Sequence, residues 1–383
     1  MLLDTTLREG AQLFGAYFNI DTRKRILSGL LQLGIDEIEL GWVGQSELTE
    51  FVTYAARQTR SAKLSVWSPC READIRAAAR LPVDRVNIGV PSSDLHIEKR
   101  LSTQREALLD TLVKNIEVAK ESGISYISVG LEDVSRADES FALQMALLAE
   151  QHGASRVRLA DSLGQLTPLA MAKLVEKFRK SLRIEIAVHC HDDFGMATAN
   201  SITALQCGAD YADASVLGVG ERSGIAATEE LVAYLSIKQK HDGYAPIKLR
   251  ELCDSVASVA HVPIPRTKAV VGSDVFACES GLHVHALSKL PELFEPYDPE
   301  QLGIARKLRV GSKSGRGAVL MALNDCGMLD EDNPPARNDI EKMTKAVCKL
   351  SCKLQRPLTK GELGEVWRNV VLGANSASDC LSN

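Results

Sequence analysis

Two histidines two residues apart, closing a β-branched run, are the first chemistry the chain offers. Ile184-Glu-Ile-Ala-Val-His-Cys-His-Asp-Asp193 starts as a buried strand and ends in His189-Cys190-His191. Residues two apart in a strand share a side. Both imidazoles can therefore converge on one point while Cys190 faces the other way. That is half of a divalent-metal site. A bare His-x-His also reads as two polar residues at a strand end. The chain's first residues, Met1-Leu-Leu-Asp-Thr-Thr-Leu-Arg-Glu-Gly-Ala-Gln12, tip the balance. A strand over Leu2–Thr6 runs into Arg8, Glu9 and Gly10, and the glycine permits a tight turn. Glu9, His189 and His191 together make an open three-ligand set with room for substrate oxygens. The plainer reading of Arg8-Glu9 is a surface ion pair.

These residues need a frame that brings residue 9 to residue 189. Candidate strands are Leu2–Thr6, Asp36–Leu40, Leu64–Ser68, Arg85–Gly89, Tyr126–Gly130, Arg156–Ala160, Ile184–His189 and Tyr211–Leu217. Amphipathic segments such as Thr22–Leu33, Arg105–Glu121, Pro168–Ser181 and Thr228–Lys238 separate them. Eight strand–helix units predict a (β/α)8 TIM barrel, whose chemistry sits at the C-terminal ends of its strands. An open doubly wound sheet is the rival, and the glycine fingerprint it uses after the first strand is missing. Polar residues recur at the predicted strand ends: Arg8, Glu9 and Gln12; Trp67 through Arg71; Glu132 through Arg136; Asp161-Ser162; the two histidines; and the glycine-rich Gly218–Gly224.

Past residue 245 the rhythm stops. The predicted organisation is a barrel over 1–245, a linker and helical subdomain over 246–310, and a helical subdomain over 311–383. Leu249–Ala260 reads as a helix ended by Val262-Pro-Ile-Pro265. His283 and His285 form a second His-x-His on a predicted helix, where neighbours two apart diverge, so they do not chelate one ion. Gly311-Ser-Lys-Ser-Gly-Arg-Gly317 opens a helix and reads as an anion-binding turn or a capped start. Helices over Asn338–Leu354 and Thr359–Leu372 follow, the second with Thr359 and Glu362 as a capping box. Residues 374–383 are expected to fray.

The net charge of −5 and the absence of a dense basic run speak against nucleic acid as a partner. No apolar stretch is long enough to span a bilayer. Nine cysteines without paired spacing, and a strand motif directly at the N-terminus, suggest reduced thiols and a cytoplasmic protein.

Asp4-Thr-Thr-Leu-Arg-Glu-Gly10 combined with His189-Cys-His191 resembles the metal-dependent barrel family of isopropylmalate, citramalate and homocitrate synthases, which also includes the hydroxymethylglutaryl-CoA lyases. Glu132-Asp-Val-Ser-Arg-Ala-Asp138, the Leu217-Gly-Val-Gly-Glu-Arg-Ser-Gly-Ile225 loop and the short C-terminal region resemble the homocitrate synthases, particularly the nitrogen-fixation type. The resemblance implies a Claisen condensation of acetyl-CoA with a 2-oxo acid, 2-oxoglutarate above others. It implies a divalent metal (Mg, Mn or Zn) on Glu9, His189 and His191. Arg8, Glu132, Ser162 and His283 would be catalytic, with His283 lent by the partner in a domain-swapped homodimer. Gln12, Arg71, Arg136 and Ser162 would bind substrate. The chain departs from the family pattern at Ile225 and Leu217, where relatives carry asparagines, at Ser162, usually threonine, and at Arg71, where lysine-pathway relatives carry histidine. Isopropylmalate, citramalate, Re-citrate and phosphonomethylmalate synthesis share the same core. More remote alternatives are an acyl-CoA lyase and a non-catalytic metal-binding barrel.

Overall fold

The computed structural model describes residues 1–279, 287, 290–329 and 335–378, and it divides into two compact units, Met1–Ile264 and Pro265–Asn383. In the first unit eight parallel strands close into a barrel: β1 (Leu2–Asp4), β2 (Glu37–Trp42), β3 (Lys63–Pro69), β4 (Arg85–Pro91), β5 (Ile127–Glu132), β6 (Arg156–Asp161), β7 (Glu185–Cys190) and β8 (Tyr211–Ala214). β8 pairs back onto β1, with Leu3 opposite Asp213. The helices between them are α1 (Ile20–Leu33), α2 (Leu48–Ala56), α3 (Glu72–Ala78), α4 (Asp94–Arg100), α5 (Arg105–Glu121), α6 (Glu139–His152), α7 (Pro168–Ser181), α8 (Ala197–Gln206) and α9 (Thr228–Ala233).

Local sequence explains where the helices begin and stop. Asn19 caps α1 by accepting from the Thr22 amide, and Gly34 ends it at φ 85°, a conformation glycine adopts without penalty. Asp138 and Thr167 cap α6 and α7 in the same manner, and Pro168 starts α7 where its missing N–H costs nothing. All eight expected strands are present. β8 is shorter than expected, ending at Ala214 rather than Leu217. A tight turn at Val216–Gly218 interrupts it, with Leu217 held at φ 60°.

Most outward positions of the strands are apolar and pack under the helices; Ile38, Leu40, Val157 and Leu159 are all fully buried. The inward positions are not the aliphatic layers that usually fill such barrels. β2 turns Glu37 and Glu39 inward, and β6 turns Arg156 and Arg158 inward. Arg156 holds Glu37 bidentately at 2.7 and 2.9 Å, and also donates to Asn87 Oδ1 and Ser128 Oγ. Its guanidinium carbon lies 4.7 Å from the centre of the Tyr211 ring. Arg85 reaches the same carboxylate at 2.6 Å. With both carboxylate oxygens engaged, this buried pair is tolerated; breaking such a pair from one side typically costs about 3–5 kcal/mol.

The expected boundary at residue 245 falls inside the first unit. The helix α10 (Leu249–Ala260) lies against α1 so closely that a Cβ on Gly29 would sit 2.7 Å from Leu252 Cδ1. In the second unit, β9 (Ala277–Cys278) pairs with β10 (Lys307–Leu308), and the expected boundary at residue 310 is crossed by the packing of Val310 and Cys278 onto the helices that follow. A single apolar core containing Val310, Val319, Met343, Val347 and Leu363 joins helices Arg316–Asp325, Arg337–Leu354 and Lys360–Ser378. The last helix runs past Gly373 to Ser378, and the remainder of the stretch expected to fray, 379–383, lies outside the described residues. One glycine costs a helix only about 1 kcal/mol. Its expected capping box is formed, with the Thr359 amide donating to Glu362 at 2.8 Å and the Glu362 amide donating to Thr359 Oγ1 at 3.3 Å. The Gly311–Gly317 turn receives an anion from its own chain: the Lys313 amide donates to Glu279 Oε1. Among the described residues, no helix is long and apolar enough to cross a membrane.

Candidate metal centre and active site

The chain after β1 folds back on Thr5, whose carbonyl accepts from the amides of Arg8 and Glu9 and whose hydroxyl accepts from Glu9 as well. This turn aims Arg8 and Glu9 over the barrel mouth. Gly10 lies under the β8 loop, where an added Cβ would come within 2.9 Å of Val219. His189 is the last residue but one of β7, and His191 stands one step beyond the strand, fixed by a backbone bridge to Ile225. Cys190 points away from the histidines and is fully buried.

Glu9, His189 and His191 each present one ligand atom, all within 4.8 Å of one another. His189 Nε2 lies 3.8 Å from Glu9 Oε2 and 3.3 Å from His191 Nε2. These separations suit atoms arranged around one divalent ion at about 2.0–2.2 Å. Protonation also fits. Burial, then the neighbouring His189, pushes the His191 pKa down to about 3, so the imidazole is neutral, which is its ligating form. Burial opposes the Glu9 charge, but Arg8, His189 and His191 more than offset this and hold its pKa at about 2. A donor set of one carboxylate and two imidazoles, with its open side facing a cavity, fits a divalent metal.

Beneath the triad lies a buried layer that holds it. His189 Nδ1 donates to Asp213 Oδ2 at 2.9 Å, leaving Nε2 to face the centre. Arg158 Nε lies 3.3 Å from the same oxygen, and Arg158 Nη2 donates to Glu39. Glu39 in turn accepts from Arg8 Nε at 2.7 Å. Arg8 also donates to Glu9 and to Gln12 Oε1. Metal-bound histidines usually need such an outer partner, and its loss typically weakens metal binding about 10–100-fold. Asp213→Asn is expected to do the same, because an amide can offer its N–H to Nδ1 and favour the wrong tautomer. Titration of Mn(II) against an indicator dye checks this; unchanged affinity in the folded variant would leave Asp213 with a purely structural role.

A cavity of about 350 Å³ opens above the centre. Arg8, Glu9, Gln12, Glu132, Ser162, His189 and His191, all picked from the sequence, line it. Glu132 ends β5 beside Trp67. A Cβ at Gly89 would meet Glu132 Oε1 at 2.5 Å and the Trp67 ring at 2.6 Å, so only glycine lets the two share that wall. Ser162 Oγ accepts from the Asp133 amide at 2.9 Å.

Two expected substrate-binding arginines stand outside this lining. Arg71 is exposed in the position just before α3. Arg136 is turned onto Asp133, with Nη2 to Oδ2 at 2.8 Å, and reaches only the back of His96. His283, expected from the resemblance to act as acid or base, lies outside the described residues. The lining also includes residues to which the sequence assigned no role: Trp42, His96 and Arg100, and, from the predicted strand ends, Trp67, Arg158 and Arg222. Arg222 grips Asp193 through two nitrogens and donates to the Ser162 carbonyl, tying together the loops after β6, β7 and β8. The alternation of charge at 37 and 39, and at 156 and 158, was the available signal for the inward layer.

Comparison with known proteins identifies the family. Residues 1–256 match the HMGL-like family model, and residues 270–352 match the homocitrate synthase post-HMGL domain-like model. A 2-isopropylmalate synthase of Caldanaerobacter subterraneus subsp. tengcongensis is 36% identical over 375 residues, covering 97% of this chain and 96% of its own. Homocitrate synthase 1 of Nostoc sp. is 36% identical over 368 residues, covering 95% of each chain. A hydroxymethylglutaryl-CoA lyase structure from Pseudomonas aeruginosa shares the fold, with TM-score 0.61 and 22% identity over 67% of this chain and 92% of the other. Matches of this length place the chain in the HMGL-like family, as an enzyme related to the 2-isopropylmalate and homocitrate synthases.

Proposed function

We propose that the protein condenses acetyl-CoA with a 2-oxo acid, and that 2-oxoglutarate is the acid it uses best, giving homocitrate and free CoA. The observation that carries the condensing reading is the open Glu9–His189–His191 centre with Arg8 on one side and Glu132 in the facing wall of the same cavity. A divalent ion held by these three ligands would polarise the keto group as a Lewis acid. Arg8 is fixed by Glu39 and supplies a preorganised positive charge where negative charge develops on the keto oxygen. Glu132 is the carboxylate placed to take up the proton that the acetyl methyl group loses. A new carbon–carbon bond then joins that methyl carbon to the keto carbon as the carbonyl π pair moves onto oxygen, and that oxygen takes up a proton to become the product's hydroxyl. Water cleaves the thioester, releasing CoA as the thiol and the product as a carboxylate. Trp42 and Trp67 wall the cavity and limit water around the reacting carbons.

Support for a dicarboxylate comes from Arg100, a half-exposed cation in the cavity lining, since an unpartnered carboxylate is costly to bury. The match of residues 270–352 to the homocitrate synthase domain model supports it too. The apolar part of the wall, Trp42, Trp67 and Ile88, favours a second reading, an alkyl oxo acid such as that of the 2-isopropylmalate synthase relative. Following thiol release with acetyl-CoA and each of 2-oxoglutarate, 2-oxoisovalerate and pyruvate separates the two. The expected result is the highest kcat/KM for 2-oxoglutarate. A higher value for either of the others would overturn the homocitrate reading and leave the condensation standing.

A further inference from the structure

We propose that Arg100 is the residue that recognises the second carboxylate of the oxo acid, and that it does so by leaving Glu132. The inference rests on the reading of this cavity as an oxo-acid condensing centre.

Four guanidinium groups line the cavity, and three are committed elsewhere. Arg8 is buried and held by Glu39, Glu9 and Gln12. Arg158 is buried between Glu39 and Asp213. Arg222 is clamped on Asp193 and the Ser162 carbonyl. The partners of these three shape the site, and exchanging any of them would open the barrel mouth or the layer under the metal ligands.

Arg100 is different. It ends α4, its side chain is 49% exposed, and among the described residues its ion-pair partner is Glu132, at 2.5 Å from Nη2. That partner is the carboxylate assigned to the reaction's proton. The helix beneath Arg100 is anchored: Ser93 accepts from the His96 amide and donates to Asp133, which holds the start of α4 against the loop after β5. The base of α4 is therefore fixed, while the guanidinium at its far end is half exposed. A half-exposed ion pair is weakly held, so trading one carboxylate for another at this guanidinium costs little. Arginine can take the incoming carboxylate with two parallel N–H bonds where Glu132 now engages one nitrogen.

The exchange links recognition to chemistry. An oxo acid with a distal carboxylate draws Arg100 away and leaves the Glu132 oxygens facing the acetyl group. An oxo acid with an alkyl end leaves Arg100 on Glu132, which stays occupied. Selectivity then comes from a charge swap as well as from the shape of the Trp42–Trp67 wall. It also explains how the chain can discriminate although Arg71 and Arg136 stand outside the cavity.

The test compares two acids that differ in the distal carboxylate, 2-oxoglutarate and 2-oxobutyrate. Steady-state thiol release is measured in the unmodified protein, Arg100→Met and Arg100→Lys. Calorimetric titration of each acid into the metal-loaded proteins without acetyl-CoA reads binding separately. In Arg100→Met, the ratio of kcat/KM for 2-oxoglutarate over 2-oxobutyrate is expected to fall by on the order of 10- to 100-fold, the usual size of a charge-assisted pair. Weaker 2-oxoglutarate binding accompanies the fall, and Arg100→Lys recovers part of the ratio. An unchanged ratio overturns the proposal, as does an equal loss for both acids, which would make Arg100 a support for Glu132 alone. If the unmodified protein releases CoA with no oxo acid at all, the condensing reading itself fails, an outcome distinct from a condensing enzyme whose selectivity ignores Arg100.

Discussion

Replacing His189 with alanine removes the divalent ion and brings turnover to background, the largest effect expected of any single change in this protein. The centre has three protein ligands, and His189 is the one tied to both neighbours and to the layer beneath. Removing it leaves Glu9 and His191 as a two-ligand remnant, and leaves Asp213 facing a space without its hydrogen bond. Two ligands rarely hold a divalent ion in a site that must keep positions open for substrate. The fold itself should persist, because Arg158 still balances the Asp213 charge at 3.3 Å. Elemental analysis of the dialysed variant, with circular dichroism to confirm folding, checks the claim. A folded His189→Ala protein with its metal content intact would remove Glu9, His189 and His191 from the role assigned to them.

Arg8→Ala should leave the metal in place and cut kcat by on the order of 10² to 10³, with a much smaller change in KM. The reasoning concerns when its charge matters. Arg8 sits beside Glu9, held in place by Glu39, so it meets the keto oxygen with fixed geometry, and its attraction grows as that oxygen gains charge. Loss of the side chain also removes a partner from two buried carboxylates. Glu39 keeps Asn87 at 2.7 Å and Arg158 at 3.0 Å, and Glu9 keeps the Glu221 amide at 3.1 Å, so the stability loss is partial. Kinetics at saturating acetyl-CoA, read beside a thermal melt, separate the two effects. Near-normal kcat in the variant would reduce Arg8 to a structural member of the buried layer.

The eight strands were legible because each is a short β-branched or aliphatic run between helix caps and turn residues, and the metal ligands were legible because strand ends are where a barrel exposes polar groups. The layer under the site was harder. Glu37 and Glu39 carry the right alternation, as do Arg156 and Arg158, but the bonds between them span 119 residues and no local pattern specifies such a pairing. Arg71 and Arg136 were placed at strand ends correctly and still miss the cavity. Arg71 has extended backbone at φ −134° where α3 begins and is exposed. Arg136 is captured by Asp133, itself held at φ 61°. Side-chain direction at a loop of that kind depends on a left-handed backbone conformation, which one aspartate in a sequence suggests far less strongly than a glycine does. Arg100 went unseen because it ends a helix a full two turns beyond its strand, and helix geometry, not strand spacing, brings it over Glu132. The boundary at residue 245 marked a real loss of strand–helix rhythm, yet α10 still belongs to the barrel unit because its apolar face covers α1.

The central claim is a condensation that requires the Glu9–His189–His191 centre to hold a divalent ion, and the most direct measurement is thiol release from acetyl-CoA in the unmodified protein before and after chelation. The account predicts CoA release only when a 2-oxo acid is present, loss of that release on chelation, and its return when a divalent metal is added back, with the condensed acid identified by mass. Release that persists in the fully chelated protein, or that needs no oxo acid, would contradict it.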